Sequence, residues 1–141
     1  DLRPMALDDV GLVPTIRGVL DVFRTQYGIF TEIAVTGRER RLASHIEIGL
    51  FRVAQEALNN VVKHAQASTV RVRIEFAPIG VTLVIEDDGK GFDTANDDAP
   101  AGHFGRMGMR ERLQLLQGKF TIKSTPGKGT RVMITAPLEE K

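Results

Sequence analysis

The chain has 141 residues, of which 42% are hydrophobic and 26% are charged, the composition of one globular domain. Its 19 basic and 18 acidic residues leave a formal net charge of +1, which argues against a nucleic-acid binder or a polybasic membrane binder. The absence of cysteine excludes disulfides and thiolate metal sites, and no apolar run approaches the ~20 residues that span a bilayer. We therefore expect a cytoplasmic domain without direct membrane contact.

Two stretches in the first half of the chain have helical hydrophobic spacing. Apolar side chains recur at i, i+3, i+4 and i+7 in residues 14–26, and they form one stripe along residues 43–65. Gly28 is a suitable stop for the first helix. The second stripe consists of Leu50, Ala54, Ala57, Leu58, Val61 and Ala65.

The remaining segments predict strands and one further helix. Residues 70–76 alternate apolar and charged side chains, the period of a half-buried strand. Further strands are predicted at residues 29–35, 81–85, 120–122 and 132–136, and a third helix at residues 107–116. About five strands and three helices make an α/β (α+β) sandwich, with a mixed sheet and the helices on one face.

The polar face of the second helix is the first place that has the residues for chemistry. Glu56 and Asn60 are one turn apart, and Lys63 and His64 continue the same face. A carboxamide oxygen suits a hard cation such as Mg²⁺, and a cationic side chain one turn away suits phosphate. The alternative is an ordinary solvated helix face.

The string Asp87-Asp-Gly-Lys-Gly91 follows a predicted strand. Glycines let the backbone turn sharply and let a flat ligand approach it, and a carboxylate there can accept a hydrogen bond from the exocyclic amine of adenine. An ordinary Asp-Gly turn explains the same string without a ligand.

Two further glycine motifs follow. The loop-like residues 92–104 overlap the glycine string at residues 102–108, which leads directly into a helix. The free N–H groups and the dipole at the start of that helix favour a phosphate. The alternative is a flexible linker. Residues 127–130 read GKGT, in which Thr130 offers a hydroxyl to a nearby phosphate, although a hairpin turn explains this string equally.

These four motifs, in this order, resemble the GHKL ATPase superfamily, which includes gyrase, heat-shock chaperones, histidine kinases and MutL. The resemblance covers nearly the whole chain. QEALNNVVKHA and GMRER are similar to histidine kinases whose regulators are of the NarL type, and within that group to DegS-like kinases. The resemblance implies the catalytic ATP-binding domain of a sensor histidine kinase, with ATP and Mg²⁺ as its cofactors.

The resemblance also implies roles for the residues of the polar helix face. Asn60 would bind Mg²⁺, and Glu56 would belong to the same catalytic cluster. Lys63 would approach a phosphate of ATP, and His64 would approach the nucleoside.

For the strand end, the resemblance implies that Asp87 hydrogen-bonds the adenine amine, while Gly89 and Gly91 shape the pocket. Thr130 would contact the ligand or hold Asp87 through a water molecule.

For residues 92–106, the resemblance implies an ATP lid that Gly105 and Gly108 allow to close over the phosphates. Arg106 departs from the family pattern, which usually has an aliphatic residue between these two glycines. Its role in the lid is therefore open.

The resemblance implies one catalytic domain over residues 1–141, whose residues 1–12 are the end of a linker from a missing dimerisation and phosphoacceptor domain. The chain's three histidines, at positions 45, 64 and 103, lack the expected acceptor context. The domain would therefore donate the γ-phosphoryl group of ATP to a histidine elsewhere in a homodimeric kinase that serves a NarL-type response regulator. We expect the piece itself to be a monomer that binds no nucleic acid.

Three alternatives share these motifs. They are a GHKL ATPase with Glu56 as the general base for water, a serine kinase of the anti-sigma type, and a non-enzymatic nucleotide-sensing module. Turnover of ATP, transfer to an acid-stable phosphoserine, or binding without transfer would distinguish them.

Overall fold

The computed structural model describes residues 5–91, 114 and 116–138. Three α-helices lie in these ranges, and the third continues into a π-helical turn. The helices are α1 (Met5–Val10), α2 (Leu12–Tyr27) and α3 (Ser44–Asn60), and the π-helical turn is Val61–Ala65. The strands are β1 (Phe30–Gly37), β2 (Thr69–Ala77), β3 (Gly80–Asp87), β4 (Lys119–Ser124) and β5 (Thr130–Pro137).

The five strands form one mixed sheet in the order β1-β2-β3-β5-β4. Strand β1 runs parallel to β2, and the other neighbours are antiparallel. The predicted α/β sandwich with a five-stranded mixed sheet is therefore confirmed. Every predicted strand is present. The first begins at Phe30, one residue later than predicted, and the other four begin one or two residues before the first apolar residue of their pattern.

One face of the sheet is buried, as the period of two predicted. Val70, Val72 and Ile74 are buried on β2. On β3, Ile85, which pairs with Val72, and Leu83, which pairs with Ile74, are buried as well. Helices α2 and α3 contact the sheet and each other. The helix-covered face therefore contains the core, and the charged residues of β2 alternate onto the other face.

Helix α3 is buried on more sides than its apolar stripe indicated. Leu50, Ala54 and Leu58 lie in the core as expected. Arg52 is only 9% exposed and donates a hydrogen bond to Gln55. The cause is that α3 contacts α1 and α2 as well as strands β3 and β5, so its first half has little solvated surface.

The segment expected to be the end of a linker contains helix α1. Leu7 on α1 is 1% exposed and belongs to the same core cluster as Leu12 and Ile16 of α2. Helix α2 ends where predicted, because Gly28 adopts a left-handed conformation with φ 65° and its N–H donates to Arg24. The assignment of residues 1–12 as a linker stays a prediction.

The third predicted helix, residues 107–116, lies outside the described residues except for positions 114 and 116. Leu116 is buried against Gly49 of α3, where even a Cβ atom would approach the Leu116 side chain to 2.6 Å. Among the helices described here, none is both long and apolar enough to cross a membrane.

Candidate functional site

The polar helix face lies at the carboxyl-terminal end of α3. Glu56 and Asn60 are half-buried and one turn apart, whereas Asn59 between them is exposed. The polar face at this end of α3 is therefore only partly solvated.

The helical hydrogen bonding changes directly after Asn60. Residues Val61–Ala65 form a π-helical turn, which replaces the regular α-helix expected through residue 65. Lys63 is exposed on this turn, and the backbone of His64 belongs to it. Because a π-helical turn contains more residues than an α-helical one, it changes the angular position of Lys63 relative to Asn60. Such turns are rare and are frequent at functional sites.

Asp87 is the last residue of β3, and it pairs in register with Val70 of β2 and Thr130 of β5. The N–H of Gly89 donates to its Oδ1 at 2.8 Å, and the N–H of Thr130 also donates to this carboxylate. Burial raises the pKa of Asp87 above its usual value, the neighbouring charge of Asp88 raises it further, and the two backbone hydrogen bonds oppose this. A partly buried carboxylate with a raised pKa is a candidate ligand-binding group.

The loop after Asp87 interlocks with the turn before Thr130. Gly91 and Gly129 both have positive φ, 64° and 85°. A Cβ atom at Gly91 would overlap the carbonyl oxygen of Thr125, and one at Gly129 would overlap that of Asp87. The N–H of Gly127 also donates to Lys90 at 2.6 Å. The DxGxG and GKGT motifs therefore form one structural unit, and two of their glycines are required by close backbone approach.

Thr130 is anchored by a residue that the sequence analysis did not single out. The hydroxyls of Ser124 and Thr130 lie 2.8 Å apart, and the Ser124 hydroxyl donates to the carbonyl of Gly129 at 3.1 Å. Ser124 is the β4 partner of Thr130 in the register. Only this cross-strand pairing identifies Ser124, because the sequence around it has no distinguishing pattern.

Asp88 is a second residue that the sequence analysis missed. Its carboxylate accepts hydrogen bonds from the backbone N–H groups of Ser68 and Thr69 and from the Ser68 hydroxyl. In the sequence, Asp88 is indistinguishable from an ordinary residue of an Asp-Asp-Gly turn.

The structure therefore brings three of the four motifs to neighbouring positions. Asp87, Gly91 and Thr130 meet at one end of the sheet, and only residues 66–68 separate the π-helical turn from β2. The fourth motif, with Gly105, Arg106 and Gly108 of the expected lid, lies outside the described residues. The roles assigned to individual site residues stay predictions.

The described residues suit an adenine nucleotide and Mg²⁺. Asp87 offers a carboxylate beside glycine-containing turns, and glycines let a flat ligand such as a purine approach the backbone. Asn60 and Glu56 offer oxygen ligands of the kind that Mg²⁺ accepts together with water and phosphate oxygens. No cluster of three or more His, Cys, Asp or Glu side chains occurs within the part of the chain that the structure describes.

The helix-covered sheet and the interlocked glycine loops around Asp87 define an ATP-binding domain of the GHKL class. The sequence family described as histidine kinase-, DNA gyrase B- and HSP90-like ATPase matches residues 45–140. The chain belongs to this family, and the predicted resemblance to the catalytic domain of histidine kinases is confirmed.

Two relatives are histidine-protein kinases/phosphatases named DegS. The chain is 45% identical to the one from Brevibacillus brevis, over 98% of this chain and 35% of that protein. It is 42% identical to the one from Bacillus subtilis, over 96% of this chain and 36% of that protein. The chain thus spans about a third of the length of these curated relatives.

A solved structure has the same fold at lower identity. The blue-light activated histidine kinase of Erythrobacter litoralis EL346 superposes with a TM-score of 0.71 and 21% identity, over 90% of this chain and 45% of that one. At this identity the likeness shows the fold alone.

Proposed function

We propose that this chain binds ATP with Mg²⁺ and donates the γ-phosphoryl group to a histidine on a separate dimerisation domain, as the catalytic part of a two-component sensor kinase. The observation that carries the proposal is the single unit formed by Asp87, Gly91, Gly129 and Thr130. It presents a partly buried carboxylate in a turn open to a purine, and the family is one of ATPases.

Asp87 accepts the hydrogen bond of the adenine amine. Its carboxylate has about four acceptor positions, and the hydrogen bonds described for it come from two backbone N–H groups, those of Gly89 and Thr130. These two donors fix the carboxylate and leave it able to accept from a ligand. Gly89 and Gly91 keep side chains away from the purine.

Asn60 and Glu56 hold Mg²⁺, and Lys63 contacts the phosphates of ATP. The metal supplies neutralisation of the phosphate charge that develops during transfer, and the chain's own contribution is to position the phosphates. His64 contacts the nucleoside, and the lid at residues 92–106, with Gly105 and Gly108, closes over the phosphates.

The acceptor histidine attacks the γ-phosphorus through a ring nitrogen. The bond between this phosphorus and the β,γ-bridging oxygen breaks, and ADP leaves with that electron pair. Residues 1–12 connect this chain to the acceptor domain of a cytoplasmic, homodimeric kinase, which passes the phosphoryl group to a NarL-type response regulator.

The proposal is tested by calorimetric titration of the chain with ATP, with and without Mg²⁺, and with GTP as the control nucleotide. Saturable binding that prefers adenine and responds to Mg²⁺ is the expected result. A folded sample that binds no ATP would contradict the proposal and favour a non-enzymatic module.

A transfer assay then distinguishes the reactions. The expected product with an added acceptor domain is an acid-labile phosphohistidine. ATP turnover by the chain alone that Glu56→Gln abolishes would instead indicate hydrolysis with Glu56 as the base. An acid-stable phosphoserine would indicate a serine kinase.

A further inference from the structure

The carboxylate of Asp88 is the centre of a small hydrogen-bond cluster beside the proposed site. Its Oδ1 accepts from the backbone N–H groups of Ser68 at 2.8 Å and Thr69 at 2.9 Å, and its Oδ2 accepts from the Ser68 hydroxyl at 2.6 Å. The Asp88 N–H returns a bond to the carbonyl of Thr69 at 3.3 Å. Three donors on one carboxylate define its position more closely than an exposed turn requires.

This cluster joins the two halves of the proposed site. Asp88 directly follows Asp87, the proposed adenine acceptor, at the end of β3. Ser68 and Thr69 directly follow the segment that leaves the π-helical turn, in which Gln66 adopts a left-handed conformation with φ 53°. The Asp88 side chain therefore adds a tie, beyond the β2–β3 ladder, between the strand end and the residues that follow the polar helix face.

The carboxylate remains ionised at neutral pH, and three of its roughly four acceptor positions are filled by protein donors. The hydrogen bond from the Ser68 hydroxyl, with those of the backbone N–H groups, lowers the pKa of Asp88 to about 2. Such a group is a poor proton acceptor, and its two oxygens already receive protein donors. Asp88 therefore differs from Asp87, whose pKa is raised and whose carboxylate retains acceptor positions.

We infer that Asp88 is a positioning residue, which holds the exit of the π-helical turn, and through it Asn60 and Lys63, in place relative to Asp87. The inference rests on the proposed function, because it assigns the adenine to Asp87 and the metal and phosphates to the helix face. It adds that the side chain of Asp88 aligns the two halves.

The test compares the affinity for ATP with Mg²⁺ with the affinity for adenosine. The difference between them is what the phosphates and the metal contribute to binding. The dissociation constants of adenosine and of ATP with Mg²⁺ are measured calorimetrically for the wild type, D88A, D88N and S68A. D88A removes all three accepted bonds, and we expect ATP·Mg²⁺ to bind roughly three- to tenfold more weakly, with adenosine affinity changed by less than about twofold.

D88N is the matched control for charge. The amide oxygen of asparagine keeps both backbone donors, and its NH₂ group can donate to the Ser68 hydroxyl oxygen. We expect D88N to bind ATP·Mg²⁺ within about twofold of the wild type, and S68A, which loses one bond of the three, to lie between D88N and D88A.

The outcomes separate this inference from the proposed function. A folded wild type that binds no ATP overturns the proposed function and this inference with it. If the wild type binds ATP·Mg²⁺ and D88A binds it equally well, the inference alone is overturned. It is also overturned if D88A weakens the binding of adenosine and of ATP·Mg²⁺ equally, because that indicates a general structural role. If D88A does not fold, S68A tests the inference in its place. The dissociation constant of ATP·Mg²⁺ is divided by that of adenosine for S68A and for D88N, and equal ratios contradict the inference.

Discussion

The two ends of the sheet differ in the polar side chains that they present. The site end comprises Asp87, Thr130 and the loops around them, and its close contacts are made between backbones at Gly91 and Gly129. The far end comprises Phe76, the β2–β3 turn and the residues against them. Backbones approach closely there too, at Gly37 and Phe76, but long arginine side chains make polar contacts as well. At the site end, the carboxylate of Asp87 is partly buried and can still accept hydrogen bonds.

Arg40 and Arg41 organise the far end. Arg40 donates to the carbonyl of Ala77 at 2.7 Å and lies over the ring of Phe76. Arg41 donates to the carbonyls of Asp8 and Asp9 and, through two nitrogens, to the carboxylate of Glu47.

The Arg41–Glu47 pair connects helix α1 to helix α3. Glu47 is 3% exposed and also accepts from the N–H of Leu42 at 3.2 Å. The carbonyls at the end of α1 and the buried carboxylate are thus satisfied by one guanidinium. A cavity of about 410 Å³ lies beside Arg40, Arg41 and Phe76, at the opposite end of the sheet from Asp87.

The comparison implies a division of roles. At the site end, the Asp87 carboxylate remains available to a further hydrogen-bond donor, so this end is suited to a ligand. Where arginines fill the polar positions, the end is suited to stability. Changes at the site end should therefore alter nucleotide affinity, and changes at the far end should alter stability without altering affinity.

The largest effect on affinity is expected from Asp87→Asn. Losing a charge-assisted hydrogen bond should weaken ATP binding on the order of 10- to 100-fold, measured by calorimetric titration. The melting temperature should not fall, since burial disfavours the charge that this change removes. Glu86→Gln, one position earlier, serves as the control, and ATP affinity that Asp87→Asn leaves intact would refute the adenine assignment.

A matched glycine pair tests the interlocked loops. Gly127 and Gly129 have similar positive φ, 81° and 85°, but a Cβ atom meets nothing within 4 Å at Gly127, whereas at Gly129 it overlaps the Asp87 carbonyl. Gly127→Ala should cost about 1–2 kcal/mol of unfolding free energy, from the left-handed conformation alone.

Gly129→Ala should cost clearly more than Gly127→Ala and should weaken ATP binding as well. Thermal denaturation and nucleotide titration of both variants measure the difference. Equal effects would mean that the loops are not in close contact.

At the far end, Arg41→Ala should lower the melting temperature by several degrees, because it leaves the buried Glu47 carboxylate without its cation. Arg40→Ala, whose guanidinium contacts exposed carbonyls, should lower it less. Both variants should bind ATP within about twofold of the wild type. If folded Arg41→Ala binds ATP more weakly than its loss of stability accounts for, the two ends of the sheet are coupled.

The smallest expected effect is on the pH dependence of stability. Asp87 and the adjacent Asp88 should contribute to this pH dependence with opposite signs. The pKa of Asp87 is raised in the folded state, so its ionisation disfavours folding as pH rises from 3.8 through the raised value. The stability of Asp87→Asn relative to the wild type should therefore increase over that interval.

Asp88 should show the reverse, because its folded-state pKa is about 2, below its usual 3.8. Its contribution to stability is complete above 3.8 and is lost as the pH falls toward 2. The Asp88→Asn variant should therefore be less stable than the wild type above pH 3.8, and this difference in stability should shrink as the pH falls toward 2. Melting temperatures at closely spaced pH values check both signs, and parallel curves for the two variants would contradict the assignment.

Most of the fold was predictable because hydrophobic periodicity is a local property. The period of two in residues 70–76 and the helical stripe from Leu50 to Leu58 correctly located β2 and α3. Helix α1 was missed because six residues are too few for a periodic signal, and its burial depends on packing against α2 and α3.

The sequence by itself determined the order of the elements, the stops such as Gly28 and the positions of Asp87, Asn60 and Thr130, because periodicity, glycines and spaced polar residues are written along the chain. Only the tertiary structure decided which glycines are constrained and which side chains serve others. Gly129 and Gly127 are alike in sequence. Asp88 and Arg41 bind partners that are distant in the chain, Thr69 and Asp8, and Ser124 gains its role from its strand partner Thr130. Strand pairing and helix packing bring these partners together, and neither is a local property.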